Sequence, residues 1–181
     1  MEIFKNEIEG LLLIKPDVFV DNRGFFLESY SQKKFIDAGI YCQFIQDNHS
    51  RSEQVGVVRG LHFQKPPFAQ SKLVRVTRGA VLDVAVDLRK NSSTYGMWKS
   101  FELTEKNYLM LFVPQGFAHG FCTLCPGTEV QYKVDNLYAP QCDSGIRWDD
   151  PTLAVKWPVN DPVLSKKDAS LSFLKEIGSP F

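Results

Sequence analysis

The chain has 181 residues, one domain's worth of polypeptide by the usual yardstick of ~150 residues. Hydrophobic residues make up 44% of it, and 14 Phe, 6 Tyr and 3 Trp supply the bulk for a substantial core, which excludes a disordered chain. Lys plus Arg and Asp plus Glu are each 21, so the formal charge is zero, and without a basic block general nucleic-acid binding is excluded as well.

The opening Met1-Glu2-Ile3-Phe4-Lys5-Asn6-Glu7 lacks the basic-then-apolar pattern of a signal peptide. Ser31 is placed to cap a short helix that ends at Gly39. Beyond it the chain reads as short strands divided by turns such as Asn91-Ser92-Ser93 and Pro126-Gly127. The clearest strand is Val81 to Leu88, where Leu82, Val84, Val86 and Leu88 share one face and Val81, Asp83, Ala85 and Asp87 the other. Asn107 to Thr128 contains no Asp, Glu, Lys or Arg, yet Pro114, Gln115, His119, Pro126 and its glycines break it as a membrane-spanning helix. Buried strands and turns fit that stretch better. A second helix is predicted from about Lys166 to Ile177, with Gly178 after it. The expectation is one domain over residues 1–181, mainly β: a closed antiparallel sandwich or barrel of the jelly-roll kind with short helices, including one near the C-terminus. Any active site should lie in the barrel mouth. No G-x-G-x-x-G or P-loop supports nucleotide binding at a helix start. Four cysteines, Cys42, Cys122, Cys125 and Cys142, are too few for a disulfide scaffold and point to reduced thiols in the cytoplasm.

The three histidines are His49, His62 and His119. Two sit in segments similar to the cupin metal motifs: five residues separate Gly56 from His62, and Pro114-Gln115-Gly116-Phe117-Ala118-His119 reads P-x-G-x-x-H. Metal-binding cupins continue H-x-H and then supply a Glu. Here His62-Phe63-Gln64, followed by Phe68 and Ala69, lacks both, so the fold hint survives and no metal is expected. His119, Cys122 and Cys125 form H-x-x-C-x-x-C, readable as part of a zinc site or a redox pair. A second C-x-x-C is missing and strand alternation puts His119 and Cys122 on opposite faces, so two small buried thiols are the favoured reading.

A metal-free barrel with a histidine at its mouth suits proton transfer, since imidazole's unperturbed pKa of ~6.5 fits a general base near neutral pH. Removing a carbon-bound proton also needs a cation or aimed donors for the enolate charge, and Lys72 in Gln70 to Val76 is a candidate. Tyr132 shares a strand face with Val130 and Val134, so its phenol points inward, where it could act as the acid. Taken singly, Tyr132 reads as a core aromatic, Lys72 as a solvated strand residue, and His62 as a structural histidine as readily as a base. Arg23, in the turn Asp21-Asn22-Arg23-Gly24, and Arg59, before Gly60, have the planar fork that suits a diphosphate, though each alone fits a surface ion pair. Strict alternation sets Arg59 and His62 on opposite faces unless a bulge at Gly60 realigns them.

Taken in order, these segments resemble the dTDP-4-dehydrorhamnose 3,5-epimerases, cupin-fold enzymes of dTDP-L-rhamnose synthesis. The likeness runs through Asp21-Asn22-Arg23-Gly24-Phe25-Phe26, Gln46-Asp47-Asn48-His49-Ser50, Val58 to Gln64, Gln70 to Val76 and Asp83 to Arg89. It continues through Val113 to Phe121, Ile146-Arg147-Trp148-Asp149-Asp150-Pro151 and Leu164 to Asp168, so it spans almost the whole chain. The resemblance implies a dTDP-linked 4-keto-6-deoxy sugar whose C3 and C5 protons flank the C4 ketone. It implies His62 as base, Tyr132 as the acid on the other face, Lys72 at the enolate oxygen, and Asp168 fixing the His62 tautomer. Ser165-Lys166-Lys167-Asp168 also fits a capping box, and the two roles of Asp168 are compatible. By the same likeness Arg23 and Arg59 hold the diphosphate, Glu28, Gln46, Asp47 and Asn48 contact nucleotide and sugar, and His119 and Asp83 belong to the pocket. Phe19 and Phe26 are stacking partners for the base. Asp143 stands where many members carry Glu, which shortens that contact. The family is homodimeric with strands exchanged between subunits, uses no cofactor, and implies neither a nucleic-acid nor a membrane partner. The rival readings are a mono-epimerase at C5 or C3, a 3,4-ketoisomerase, a catalytically silent sugar-nucleotide-binding cupin, and a Cys122/Cys125 metal module.

Overall fold

The computed structural model describes residues 1–181. In chain order, β1 (Glu2–Lys5), β2 (Leu12–Lys15), β3 (Val18–Asp21) and β4 (Gly24–Leu27) precede α1 (Gln32–Asp37). Then follow β5 (Gln46–Ser52), β6 (Val58–Gln64), β7 (Lys72–Arg78), β8 (Ala80–Asp87) and β9 (Trp98–Thr104). The chain continues through β10 (Met110–Val113), β11 (Phe117–Thr123), β12 (Thr128–Val134), β13 (Asp143–Gly145), α2 (Lys166–Ala169) and α3 (Leu174–Ile177). One sheet runs β1-β2-β10-β7-β12-β5 and the other β13-β6-β11-β8-β9, all neighbours antiparallel, while β3 and β4 form a hairpin of their own. The expected jelly-roll sandwich is present, but the strands make two facing sheets and not a closed ring. No helix is long and apolar enough to cross a membrane.

The alternation of β8 divides the interior in two. Val81 and Ala85 join Phe117 and Phe121 of β11, Val74 and Val76 of β7, and Val130 of β12 in the core between the sheets. Val84 and Val86 point the other way, with Leu61, Phe63 and Ala118, and are covered by Ile146, Leu153 and Leu174 of the C-terminal segment. Strands buried on both faces must be apolar throughout, and β10 of the six-stranded sheet and β11 of the five-stranded one both are, which is why Asn107 to Thr128 carries no charge. Charges admitted to the inner face are paired: the Asp87 carboxylate, wholly buried, accepts from Arg89, Ser92 and Thr94. Burial alone would raise its pKa; these hydrogen bonds outweigh it and bring the group down to about 2.

Three local expectations change. Ser31 does stand at the N-cap of α1, but its side chain makes no capping bond, and the helix is anchored by buried Phe35. The helix expected from Lys166 to Ile177 is two short ones. Between them the backbone turns to pair with a strand-like segment: Arg147 N–H donates to Ser172 O at 3.0 Å, and Leu174 N–H to the buried Asp150 carboxylate at 2.7 Å. Tertiary hydrogen bonds therefore override helical propensity at residues 170–173. At Ser165 the cap forms, its Oγ accepting from Asp168 N–H at 3.0 Å, while the Asp168 carboxylate turns to His62.

β6 carries an irregularity that places two side chains. His62 lies opposite His119 and Arg59 opposite Phe121, so three residues of β6 span what two residues of β11 span. That extra residue returns Arg59 to the face of His62, as a bulge at Gly60 would. Gly60 has φ +130°, and a Cβ there would meet Gly120 Cα at 2.5 Å and His119 O at 2.8 Å. Only glycine fits this approach.

Candidate active site

His62 and Gln64 of β6, Lys72 of β7, Gln46 and Asn48 of β5, Tyr132 of β12, and Asp143 of β13 open onto one cleft of about 390 Å³ between the sheets. Gln70, Tyr138 and Lys167 complete its rim. The cleft brings groups from both sheets to one space: the imidazole comes from one, the ammonium and the phenol from the other.

His62 Nε2–H donates to Asp168 Oδ1 at 2.5 Å, with the histidine side chain 30% and the aspartate 5% exposed. Burial, the largest single influence, would raise the Asp168 pKa, but His62, Ser165 and Lys167 together outweigh it and the carboxyl sits below its ordinary range. An ionised Asp168 can only accept, so Nε2 carries a proton, and in the neutral imidazole the lone pair on Nδ1 is left for a ligand. Lys72 is half-buried. Desolvation pushes its ammonium down to about 8, against the fields of Asp83 and Asp143 and with that of Lys167. Burial raises the Tyr132 phenol, against the charge of Arg59, so it keeps its proton.

Behind the cleft is a second pair. His119 Nε2–H donates to Asp83 Oδ1 at 2.8 Å, both side chains nearly sealed, and Asp83 Oδ2 has no partner. The rim has its own chain of contacts: Tyr138 O–H donates to Asp143 Oδ2 at 3.0 Å, and Lys167 Nζ also donates to that oxygen. The Asp143 side chain is therefore long enough to reach both neighbours.

The other expected residues lie elsewhere. Arg59 shares the inward face, but its guanidinium is tied to Ser52 Oγ and Arg51 O, each at 3.1 Å. Asp47 falls on the opposite face of β5 from Gln46 and Asn48 and pairs with Lys133 at 2.8 Å. Gln46 and Asn48 line the His62 cleft, while Asp47 lines an adjoining pocket that shares Asn48 and Tyr132 with it. Arg23 is 85% exposed in the turn between β3 and β4, bound to Asp21, and Phe19 and Phe26 are exposed on the same hairpin. Glu28 pairs with Lys34 at 3.1 Å. None of these four side chains reaches the His62 cleft of its own chain.

Sequence reading missed Gln64, Gln70, Tyr138 and Lys167. The usable signals were Tyr138 in a Pro140 turn and Lys167 beside the expected Asp168; the two glutamines gave none, because their contacts join distant loops. No three His, Cys, Asp or Glu side chains cluster to hold a metal ion. Cys122 is buried, and burial pushes its thiol up to about 11, the opposite of an activated cysteine.

This geometry agrees with what the chain is similar to. The family model described as dTDP-4-dehydrorhamnose 3,5-epimerase matches residues 5–176. A Shigella flexneri protein named dTDP-4-dehydrorhamnose 3,5-epimerase is 49% identical over 169 residues, 93% of this chain and 93% of that protein. The crystal structure of dTDP-4-dehydrorhamnose 3,5-epimerase from Bacillus anthracis, with TDP and PPi bound, superposes with a TM-score of 0.94 at 48% identity. That match covers 96% of this chain and 99% of the other. The dTDP-6-deoxy-D-glucose-3,5-epimerase from Legionella pneumophila, in complex with dTDP-4-keto-L-rhamnose, gives 0.93 at 43% identity over 97% and 94% of the two chains. With a cupin-like fold, a histidine–aspartate pair facing lysine and tyrosine, and relatives of this identity over nearly the full length, the chain belongs to the dTDP-4-dehydrorhamnose 3,5-epimerase family.

Proposed function

We propose that His62, Lys72, Tyr132 and Asp168 epimerise dTDP-4-dehydro-6-deoxy-D-glucose at C3 and C5, giving dTDP-4-dehydro-L-rhamnose. The carrying observation is that the His62–Asp168 pair and the Lys72–Tyr132 pair come from opposing sides of one cleft. A flat enolate between them meets a base on one face and an acid on the other.

His62 Nδ1 takes the C3 or C5 proton while the C–H electron pair moves into the enolate and onto O4. The Lys72 ammonium bears that charge in a half-buried site, where it acts more strongly than in water. The Tyr132 phenol then gives its proton to the carbon from the opposite face, and the tyrosinate and imidazolium exchange protons with water to reset. Asp168 holds the imidazole in the tautomer that leaves Nδ1 free and stabilises the imidazolium once formed. Proton transfers alone balance the reaction, so no cofactor enters it.

A cleft of about 390 Å³ is near the lower end of the ~300–1,000 Å³ usual for small-molecule sites, and the sugar end of the ligand is assigned to it. The outer part of the ligand then needs other walls. Arg59 stands on the same sheet face for the diphosphate, Gln46 and Asn48 flank the sugar, and His119 with Asp83 backs the cleft. The exposed hairpin carrying Phe19, Arg23 and Phe26, with Glu28 after it, fits a homodimer in which each chain lends these residues to its neighbour. There Phe19 and Phe26 would stack on the base and Arg23 would meet phosphate. Asp47 contributes from the far face or not at all.

The reaction is tested by incubating the 4-keto sugar nucleotide with the protein in deuterated water and following it by NMR. Label at both C3 and C5 is expected. Label at one carbon would make the chain a mono-epimerase, and none above an enzyme-free control would reject enolate chemistry.

A further inference from the structure

Gln64 lies two residues along β6 from His62, opposite Asp143 on β13, and is 4% exposed. Every hydrogen-bonding direction its amide uses goes to a loop. Nε2 donates to Phe68 O at 2.7 Å and to Leu137 O at 3.0 Å, and Oε1 accepts from Ala139 N–H at 2.7 Å. Phe68 belongs to the connection from β6 to β7, which ends at Lys72. Leu137 and Ala139 flank Tyr138 in the connection from β12 to β13, which ends at Asp143.

The two loops are also tied to each other. Gln70 Nε2 donates to Asn136 O at 2.8 Å, and Ser71 N–H to Asp135 Oδ1 at 2.6 Å. Those bonds make the loops one unit without fixing it to the strand that carries the histidine. The backbone ties that unit to β6 at its far end, through the β6–β13 ladder and Lys65 N–H to Cys142 O at 2.8 Å, and the Gln64 side chain adds the tie on both sides of Tyr138.

We propose that Gln64 is a positioning residue: it seats the Tyr138 segment of the rim against the strand that carries His62, and so governs how tightly the sugar nucleotide is held more than how fast its C–H bonds break. This rests on the activity proposed above. The chemistry singles out an amide. Two carbonyls need donors and one N–H needs an acceptor, a set that glutamine alone among side chains of this length provides. A glutamate has the same shape but turns both donations into repulsions, and a methionine leaves all three backbone groups without a partner.

The test compares Gln64→Glu, Gln64→Met and Tyr138→Ala by steady-state epimerisation and by calorimetric binding of dTDP. Both Gln64 variants are expected to raise KM and the dTDP Kd about tenfold or more, since small misplacements of binding groups carry large effects, with kcat within about threefold. Gln64→Glu made in the Tyr138→Ala background is expected to add much less than it does alone, because the wall it seats is already lost. Unchanged KM and Kd, a fall in kcat alone, or effects of Gln64→Glu and Tyr138→Ala that multiply independently would each overturn the proposal. Wild-type protein that leaves C3 and C5 unlabelled would defeat the activity instead, while dTDP binding would still report on Gln64.

Discussion

Lys72 is the residue whose environment most constrains the chemistry. Its ammonium sits at about 8 where a free lysine sits at 10.5, because desolvation outweighs the carboxylates of Asp83 and Asp143. The proposed reaction uses Lys72 protonated, so kcat/KM for C–H exchange is expected to fall as pH rises through about 8. The stability sign is opposite: the unfolded chain binds the proton more tightly, so the folding penalty is full below about 8 and is relieved as pH climbs toward 10.5. Asp83→Asn removes a charge that supports the ammonium and is expected to move the alkaline limb to lower pH. A limb that stays in place when the pH–rate profile is repeated would show that Lys72 is not the titrating group. At this scale the sequence was informative where a side chain's partner lay in the same motif family, as with His62 and Asp168. It was mute where the decisive contact was with backbone, as with Gln64, or where alternation separated neighbours, as with Asp47 and Asn48.

At the scale of the element, the strand β6 does its work through one irregularity. Alternation alone set Arg59 and His62 apart, and the extra residue at Gly60 reunites them. Gly60→Ala would place a Cβ against the backbone of Gly120 in a conformation L-residues avoid. Such strain is typically ~1–3 kcal/mol, so chemical denaturation should show a loss of that order. The epimerase rate should fall by more than the unfolded fraction explains, because the register of His62 shifts with it; a rate and stability both equal to wild type would remove the argument. The alternating strands and the inward faces of β8 and β12 were legible because period-2 patterns are set by burial. The break at residues 170–173 was not, since it depends on Ser172 and Leu174 finding partners more than twenty residues away in sequence.

For the whole molecule, the two ends of the chain have different tasks. The C-terminal segment covers the outer face of the five-stranded sheet and, in doing so, delivers Asp168 to His62. The hairpin of β3 and β4 instead leaves Phe19, Val20, Phe25 and Phe26 at 56–75% exposure, an apolar surface that one chain does not cover. If it completes the neighbour's cleft, mixing His62→Ala and Arg23→Ala chains should restore activity, since one site of each mixed dimer then has both groups. With random pairing, about a quarter of wild-type sites should return, given two-fold symmetric exchange. No recovery after mixing and reassociation would assign the hairpin to its own chain's site. The resemblance pointed to Phe19 and Phe26 as ligand contacts, but nothing in the sequence told which copy they served.

In the proposed reaction the His62 imidazole draws hydrogen from carbon and the phenol across the cleft returns it. The most direct measurement is the initial rate of solvent deuterium entry at C3 and C5 in His62→Ala and Tyr132→Phe, set beside the wild type. His62→Ala should abolish entry at both carbons, whereas Tyr132→Phe should impair completion of the epimerisation more than initial proton loss. Deuterium entering His62→Ala at the wild-type rate would contradict the assignment of the base.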